Sequence, residues 1–579
     1  MNQTLRLAVV ALALCGLSAA CSSGEAPAEA SLSRVRAHLP KEPRRLFPLL
    51  AASAYETQVN DLVYQYLVHF DPLTERLAPQ LAEAAPAVQT FVDGPHRGHT
   101  GYTFTLREGA TWSDGRPVTV DDVLFTLKAV WFPGFASSPL RGGIRELVGF
   151  ERDAGEPRRF TVVASTANLN GAAYYGNLPV LPEHVYDAER QLRDVPLEQL
   201  IAGVESADLP ASARGFAEES RTSPFGKTVV TGSGPYRLDA WVAGEYIRLV
   251  RRDDFWADGL EGGLFLARPD TIEFVPVPDA TAALAMLRNA DLDVLANVQP
   301  REAVRLRDEE PEIDVYTPLA LTRTFVYLNT ADERLADADT RRALAHLLDV
   351  EGFLRDVQLG FGQRLDGPYH PSQAYAKTGE RRVAYSLDSA AALLERAGWR
   401  DGDGDGLRER RVAGRTQTLE LEYLYPSASK GSEALALLYA ADAAKVGVRV
   451  TPIGKEFGAL LTDLGQRNFQ LVQGALGSEP LPDDPYGLWH TDSDTPRGKN
   501  RSGFGDARTD ALIDSIRVNL DERSRAGQYA RLAARIAQEQ PVIFLIVPQE
   551  RIAVRRGLEP VIMSRRPGYY LPGFSESER

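Results

Sequence analysis

The chain has 579 residues, 25% charged and 44% hydrophobic, which is ordinary globular usage. At about 150 residues per domain, that length corresponds to about four domain-sized units or to fewer, larger ones. Lys+Arg number 65 against 79 Asp+Glu, and the net charge of −14 argues against nucleic acid as the main partner, because phosphate binding needs clustered cations. The only cysteines are Cys15 and Cys21, which excludes a disulfide framework, a Cys-ligated metal site and a cysteine nucleophile from the rest of the chain.

In chain order, the first feature is a basic start at Arg6 followed by the apolar run Leu7–Leu17. That run is too short for a hydrocarbon core, which takes about 20 residues. With the small residues Ser18, Ala19 and Ala20 it predicts a secretory signal over residues 1–20. Leu17–Cys21 (LSAAC) resembles a bacterial lipoprotein box, so Cys21 is expected to be lipidated, with Ser22–Ala30 as a flexible tether. Plain cleavage that leaves Cys21 free is the alternative.

Further on, Tyr102–Leu106 alternates apolar and polar residues as a half-buried strand does. Thr119 then reads as a helix N-cap with Asp122 completing the box, and Val120, Val123, Leu124 and Leu127 form one helical face. Asp279 precedes a second such face at Ala280, Ala283, Leu284 and Leu287, and Asp291–Val298 alternates like a strand. Asp388 is expected to cap a helix over Ala390–Ala397 that Gly398 stops. A strand over Leu419–Leu424, a helix over Lys430–Val446, a strand over Gly447–Pro452, helices over Thr509–Val518 and Ser524–Gln538, and a buried strand at Val542–Val547 complete the series. Strands alternating with helices predict an α/β or mixed α+β protein.

Catalytic patterns are weak. Gly232–Tyr236 (GSGPY) flanks its Ser directly with glycines, unlike a nucleophile elbow, and no phosphate-binding glycine loop is present. His96 and His99 sit in a Gly/Pro-bounded turn and read as solvated rather than metal-binding. Asp401, Asp403 and Asp405, with Gly406, copy the start of a calcium loop, but Val412 stands where the bidentate Glu belongs. A polar Asp/Gly turn is the reading preferred there over structural calcium.

The segment Tyr102–Lys128, YTFTLREGATWSDGRPVTVDDVLFTLK, resembles the signature of the family 5 bacterial extracellular solute-binding proteins, the dipeptide-, oligopeptide- and nickel-binding components of ABC importers. LAPQLAEA at Leu77–Ala84, LPEH at Leu181–His184, GSGPY, RRDDFW at Arg251–Trp256, PDATAALAMLRNADLDV at Pro278–Val294, DTRRALAHLLD at Asp339–Asp349 and the AGWRDGDGDG run starting at Ala397 resemble further family segments in the same order. The resemblance spans Lys41 to Val547.

It implies a two-lobed periplasmic binding protein fold of the dipeptide/oligopeptide-binding type with an extra subdomain. By position, residues 38–75, 215–300 and 525–579 would form the first lobe, 76–214 the extra subdomain and 301–524 the second lobe; residues 21–37 would be the lipidated Cys and tether. It also implies a peptide ligand enclosed by hinge closure. Two backbone stretches would pair with the peptide like added strands: one over Ala52–Tyr55, with Ser53, Ala54 and Tyr55 as ligand contacts, the other over Gln473–Gly477, with Ala475, Leu476 and Gly477 as contacts. An acid just after the second stretch would pair with the peptide's α-ammonium. The strict position holds Leu481, so Glu479 or Asp483, beside Asp484, would take the role, or else both are exposed loop carboxylates. The expected partners are a peptide or other small solute, permease and ATPase subunits, and a membrane through the lipid anchor; the expected state is a monomer with no cofactor, no metal, no nucleic acid and no catalytic residues. The competing readings are a nickel chelate, sugar, opine or signalling peptide as ligand, an exported hydrolase, and a chaperone-like or sensory role.

Overall fold

The computed structural model describes residues 32–50, 53–133, 138–203, 208–211, 213–377, 383–412, 414–496 and 498–577. The signal segment, Cys21 and the tether lie outside these residues. Two central sheets organise the molecule. A seven-stranded sheet runs in the order Ile313–Tyr316, Ile552–Arg555, Val294–Leu295, Arg34–Leu39, Thr271–Pro276, Tyr246–Arg251, Tyr236–Val242. A five-stranded sheet runs in the order Arg449–Lys455, Glu420–Pro426, Leu471–Gly477, Thr322–Leu328, Val542–Phe544. A four-stranded antiparallel sheet, in the order Ala87–Thr90, Thr100–Thr105, Arg159–Ala164, Leu147–Arg152, forms the extra subdomain.

The subdomain shares one continuous apolar core with the seven-stranded sheet: Phe104, Trp112, Phe125 and Phe160 join Val35, Ile247, Phe274 and Val554. The five-stranded sheet has its own cores on its two faces, one around Trp399, Tyr423 and Tyr439, the other around Phe325, Val472 and Tyr529. The molecule thus has two lobes, the first carrying the subdomain.

The chain crosses between lobes at residues 317–321 and 549–551. These two crossings lie side by side: Ala320 N donates to Pro548 O (2.9 Å), Glu550 N to Pro318 O (2.9 Å) and Gln549 Nε2 to Thr317 O (3.0 Å). The sheets therefore move the lobe boundaries from those the resemblance implied. Ile313–Tyr316 pairs with Ile552–Arg555, which keeps residues 301–316 with the first lobe. The helix Glu522–Glu539 buries Tyr529, Leu532, Ala533 and Ile536 against Phe325 and Val542, which keeps it in the second.

Local signals are realised closely at several helix starts. Asp122 Oδ2 accepts from Thr119 N (2.8 Å) at the head of Val120–Trp131, and Asp279 Oδ1 accepts from Ala282 N (2.7 Å) at the head of Ala280–Arg288. The helix expected after Asp388 begins earlier, at Leu387–Arg396, because Ser386 has extended backbone and its Oγ accepts from Ser389 N (3.1 Å). Asp388 falls in the first turn, where its charge suits the helix dipole. The Asp291–Val298 strand shrinks to Val294–Leu295, and Val542–Val547 divides at Leu545 into Val542–Phe544 and Ile546–Pro548, which pair with different strands.

GSGPY is structural. Gly234 N donates to Val63 O (2.8 Å), and a Cβ on Gly232 would stand 2.0 Å from that same oxygen. Arg252, nearly fully buried, donates to Gly234 O and Trp112 O (3.1 Å each), so GSGPY, RRDDFW and the TWSDG turn form one junction between the first lobe and the subdomain.

Candidate functional site

The site is built outward from the strand Leu471–Gly477. Its pairing with Thr322–Leu328 is fixed in register by Ser478 N donating to Leu321 O (2.8 Å) and Asn329 N to Gln470 O (3.0 Å). Antiparallel pairs alternate, so Val472, Gly474 and Leu476 direct their backbone groups to that neighbour, and Gln473, Ala475 and Gly477 direct theirs to the opposite edge. On that edge Glu420–Pro426 pairs only at Leu471 and Val472 and then leaves. Among the described residues, no strand lies beside 473–477 there. An unpaired strand edge of this kind is a template for an added extended segment.

The chain then enters the loop 478–485, which closes over a cavity of about 270 Å³. Leu476, Gly477, Glu479, Asp483 and Asp484 line it, with Ala475 on the adjoining strand. Each of the three acids is met by an arginine. Asp483 Oδ1 accepts from Arg323 Nη2 (2.7 Å), and its Oδ2 accepts from Tyr375 OH (3.2 Å). Arg323 has only 3% of its side chain exposed, and also donates to Ser478 Oγ (3.0 Å) and Pro368 O. Asp484 takes both oxygens to Arg517 Nε (3.1 Å each), and Arg517 Nη2 reaches on to Glu146 of the subdomain (2.8 Å). Burial works the other way, yet the hydrogen bonds of Arg145 and Arg517 hold the Glu146 carboxyl below the usual carboxylate range. Glu479, half-exposed, accepts from Arg565 Nε (2.9 Å).

Arg565 belongs to the C-terminal segment of the first lobe. It also pairs with Asp61 (3.4 Å), on the helix Ala54–Val63, and its Nη1 lies 3.3 Å from His69 Nε2. His69 Nδ1 lies 2.6 Å from Asn177 Oδ1, so its neutral form donates there and offers Nε2 to the guanidinium. Burial first, then the Arg565 charge, push the His69 pKa down from 6.5 to about 4. These groups line a second, smaller cavity of about 40 Å³ that reaches Pro480 of the loop. The first lobe and subdomain thus touch the loop through Arg565, through Tyr174 OH, which donates to Asp484 Oδ2 (3.4 Å), and through Asn170 Nδ2, which donates to Pro482 O (2.8 Å), while Glu146 joins by way of Arg517.

Of the first expected backbone stretch, Ala52 lies outside the described residues and the remainder begins a helix. Ser53 is the N-cap of Ala54–Val63: Glu56 N donates to Ser53 Oγ (3.3 Å) and Ser53 N to Glu56 Oε2 (3.0 Å). Ala54 and Tyr55 are therefore helical, their geometry unlike an added-strand partner, and none of the three lines either cavity. The same helix reaches the smaller cavity further along, at Gln58, Asp61 and Leu62. The S-x-x-E pattern at Ser53–Glu56 is the signal that marks this helix start. Asp401, Asp403 and Asp405 are exposed and close together, and Asp401 spends its oxygens on Gly404 N (2.7 Å) and Gly406 N (3.1 Å), as a polar turn does.

A family model described as Bacterial extracellular solute-binding proteins, family 5 Middle, matches residues 76–499. Over 524 residues the chain is 26% identical to the oligopeptide-binding protein AppA of Bacillus subtilis (strain 168), covering 90% of this chain and 87% of that protein. The solved structure of Bacillus subtilis AppA with a nonapeptide has a TM-score of 0.71 at 21% identity, covering 95% of this chain and 100% of that one. NikA from Brucella suis in complex with Fe(III)-EDTA gives 0.73 at 18% identity, covering 94% and 100%. At these identities the structural likeness establishes the two-lobed fold.

Proposed function

The chain belongs to the bacterial extracellular solute-binding proteins, family 5, and on that premise we propose that it captures peptides between its lobes and delivers them to the permease of an ABC importer. The observation that carries the peptide reading is the open edge at Gln473, Ala475 and Gly477, which borders the cavity under loop 478–485. A peptide backbone is the ligand that such an edge complements along its whole length, with side chains read loosely. The oligopeptide-binding name of the relative in Bacillus subtilis supports the same choice.

In this reading the protein binds and does not catalyse, and ATP hydrolysis belongs to partner subunits. It acts as a monomer, exported by its signal segment and held to the membrane by a lipid on Cys21. No helix among the described residues is long and apolar enough to cross a membrane.

The test is mass spectrometry of small molecules released when natively purified protein is denatured. A set of short peptides is the expected result. A single non-peptide compound, such as a metal chelate, would overturn the peptide assignment while leaving solute capture in place.

A further inference from the structure

The contacts that bridge the cleft are unevenly distributed. The first lobe proper reaches the loop 478–485 through Arg565 and the half-exposed Glu479. The extra subdomain meets the second lobe through better-buried groups. Leu169 N donates to Arg517 O (2.8 Å), so two backbones join directly across the cleft, and the Leu169 side chain packs on the apolar core around Phe325 and Tyr529. Glu146 Oε1 accepts from both Arg145 Nε (2.9 Å) and Arg517 Nη2 (2.8 Å), and Glu146 and Arg517 each have only 11% of their side chains exposed.

Tyr486 stands at the centre of this contact. The guanidinium of Arg145, from the subdomain, lies 3.8 Å from the centre of the Tyr486 ring and that of Arg517 4.7 Å, while His490 stacks on the ring at 4.3 Å and 23°. A cation over an aromatic face is attractive, and the carboxylate between the two guanidiniums offsets their mutual repulsion. Ring and carboxylate come from opposite sides of the cleft. Tyr486 directly follows the loop 478–485, on the short helix Tyr486–Trp489, and Trp489 is buried in the second-lobe core. On the other side, Ser165 N donates to Glu146 O (2.8 Å), and Asn168 N donates to Tyr102 OH (3.1 Å) on the strand Thr100–Thr105. Both halves of the contact are therefore anchored in packed elements, and the bonds between them are made by the chain itself.

We propose that the extra subdomain is a clasp: Arg145, Glu146 and Leu169 grip Tyr486 and Arg517, keep the closed form populated without solute, and so position the loop 478–485 as a wall of the cavity. A clasp of this kind lowers the cost of closure that any solute must meet, and it raises affinity without choosing among solutes. The inference does not depend on the solute being a peptide.

The Leu169 amide is the reporter, because its exchange with solvent requires the bond to Arg517 O to open. The experiment uses the full chain, freed of bound solute by unfolding and refolding on a column, with hydrogen exchange resolved by fragmentation in the mass spectrometer and small-angle scattering run in parallel. In the wild type the Leu169 amide is expected to be protected. Tyr486→Ala should raise its exchange rate by about fivefold or more and enlarge the radius of gyration, since the ring holds two guanidiniums. Tyr486→Phe keeps the ring and loses only the bond from OH to Asp492 (3.2 Å), so it should behave as the wild type. Amides of the strand Arg159–Ala164, inside the subdomain, should be unchanged in both. Wild-type exchange at Leu169 as fast as in an unstructured chain would overturn the proposal. So would an unchanged rate and radius in Tyr486→Ala, or a faster rate accompanied by equal loosening of Arg159–Ala164, which marks general destabilisation. If Tyr486→Ala does not fold, Glu146→Gln, which removes the charge shared by both arginines, is held to the same outcomes.

Discussion

Replacing Arg565 by Ala tests the charge logic of the cleft in one step, because that guanidinium touches Glu479, Asp61 and His69 at once. The pair with half-exposed Glu479 is screened and is worth under about 1 kcal/mol. Asp61 is only 16% exposed and keeps just the Tyr66 hydroxyl (2.5 Å) once the cation is gone, which costs about 1–3 kcal/mol. The variant should therefore lose roughly 2–3 kcal/mol at neutral pH.

The pH dependence carries the sharper signature. His69 stays neutral in the folded protein down to about pH 4, whereas an unfolded imidazole takes up a proton near 6.5. Between those values the unfolded state binds more protons, so wild-type stability is full above pH 6.5 and falls as the pH drops toward 4. At 1.36 kcal/mol per pH unit, the total is about 3 kcal/mol. Without Arg565 the second cause of the depression disappears and the folded pKa rises toward 6.5, although burial persists. Arg565→Ala should thus start lower at pH 7 and lose less on acidification. Imidazole NMR, with the His69 resonance assigned through His69→Gln, reads the pKa, and denaturant midpoints at pH 7 and pH 5 read the stability. An unchanged His69 titration in the variant would refute the coupling.

The remaining expectations concern other parts of the chain. Gly232→Ala should cost about 3 kcal/mol or more by chemical denaturation, since its Cβ would meet backbone at 2.0 Å, while the neighbouring Ser233→Ala should be neutral or stabilising because Ser233 Oγ is buried without a partner. Trp399→Phe should cost about 1–2 kcal/mol through loss of the bond from Nε1 to Thr340 Oγ1 (2.9 Å) and of the Arg410 guanidinium stacked 4.4 Å from the ring centre, read as a lowered Tm. Cys21→Ser should move the protein from the membrane fraction to the soluble one, and an unchanged distribution would contradict the lipid anchor.

Much of the fold is legible because it is written locally. Thr119 and Asp122 sit three residues apart and form their box whatever the rest of the chain does, and the same holds for Asp279. The signature segments are legible as strings, and the structure shows why they persist as units: TWSDG, GSGPY and RRDDFW hold one another through backbone oxygens. The candidate site is less legible because its chemistry depends on distant partners. Glu479, Asp483 and Asp484 look like spare carboxylates in a proline-rich loop, but their arginines stand 86, 160 and 33 positions away. No periodicity connects such positions, and only the sheet register and the loop's path bring them together. At Ser53–Tyr55 the legible signal is local: the S-x-x-E pattern marks the helix start that the structure shows there.

The same three arginines tie the site's charge to the opening of the cleft. Arg323 and Asp483 both move with the second lobe, as do Arg517 and Asp484, so those pairs survive any rotation about residues 317–321 and 549–551. Arg565 with Glu479, and Arg517 with Glu146, join opposite lobes and must break when the cleft opens. The first is half-exposed and weak; the second is mostly buried and worth more, about 1–3 kcal/mol. A closing bias of that size shifts an open–closed equilibrium by roughly tenfold to a hundredfold, well short of the roughly 10⁴-fold that a complete switch requires. The ligand must supply the rest through contacts that exist only when the lobes meet. A ligand that touches only one lobe should therefore bind without closing the cleft, giving weak calorimetric binding with no change in small-angle scattering.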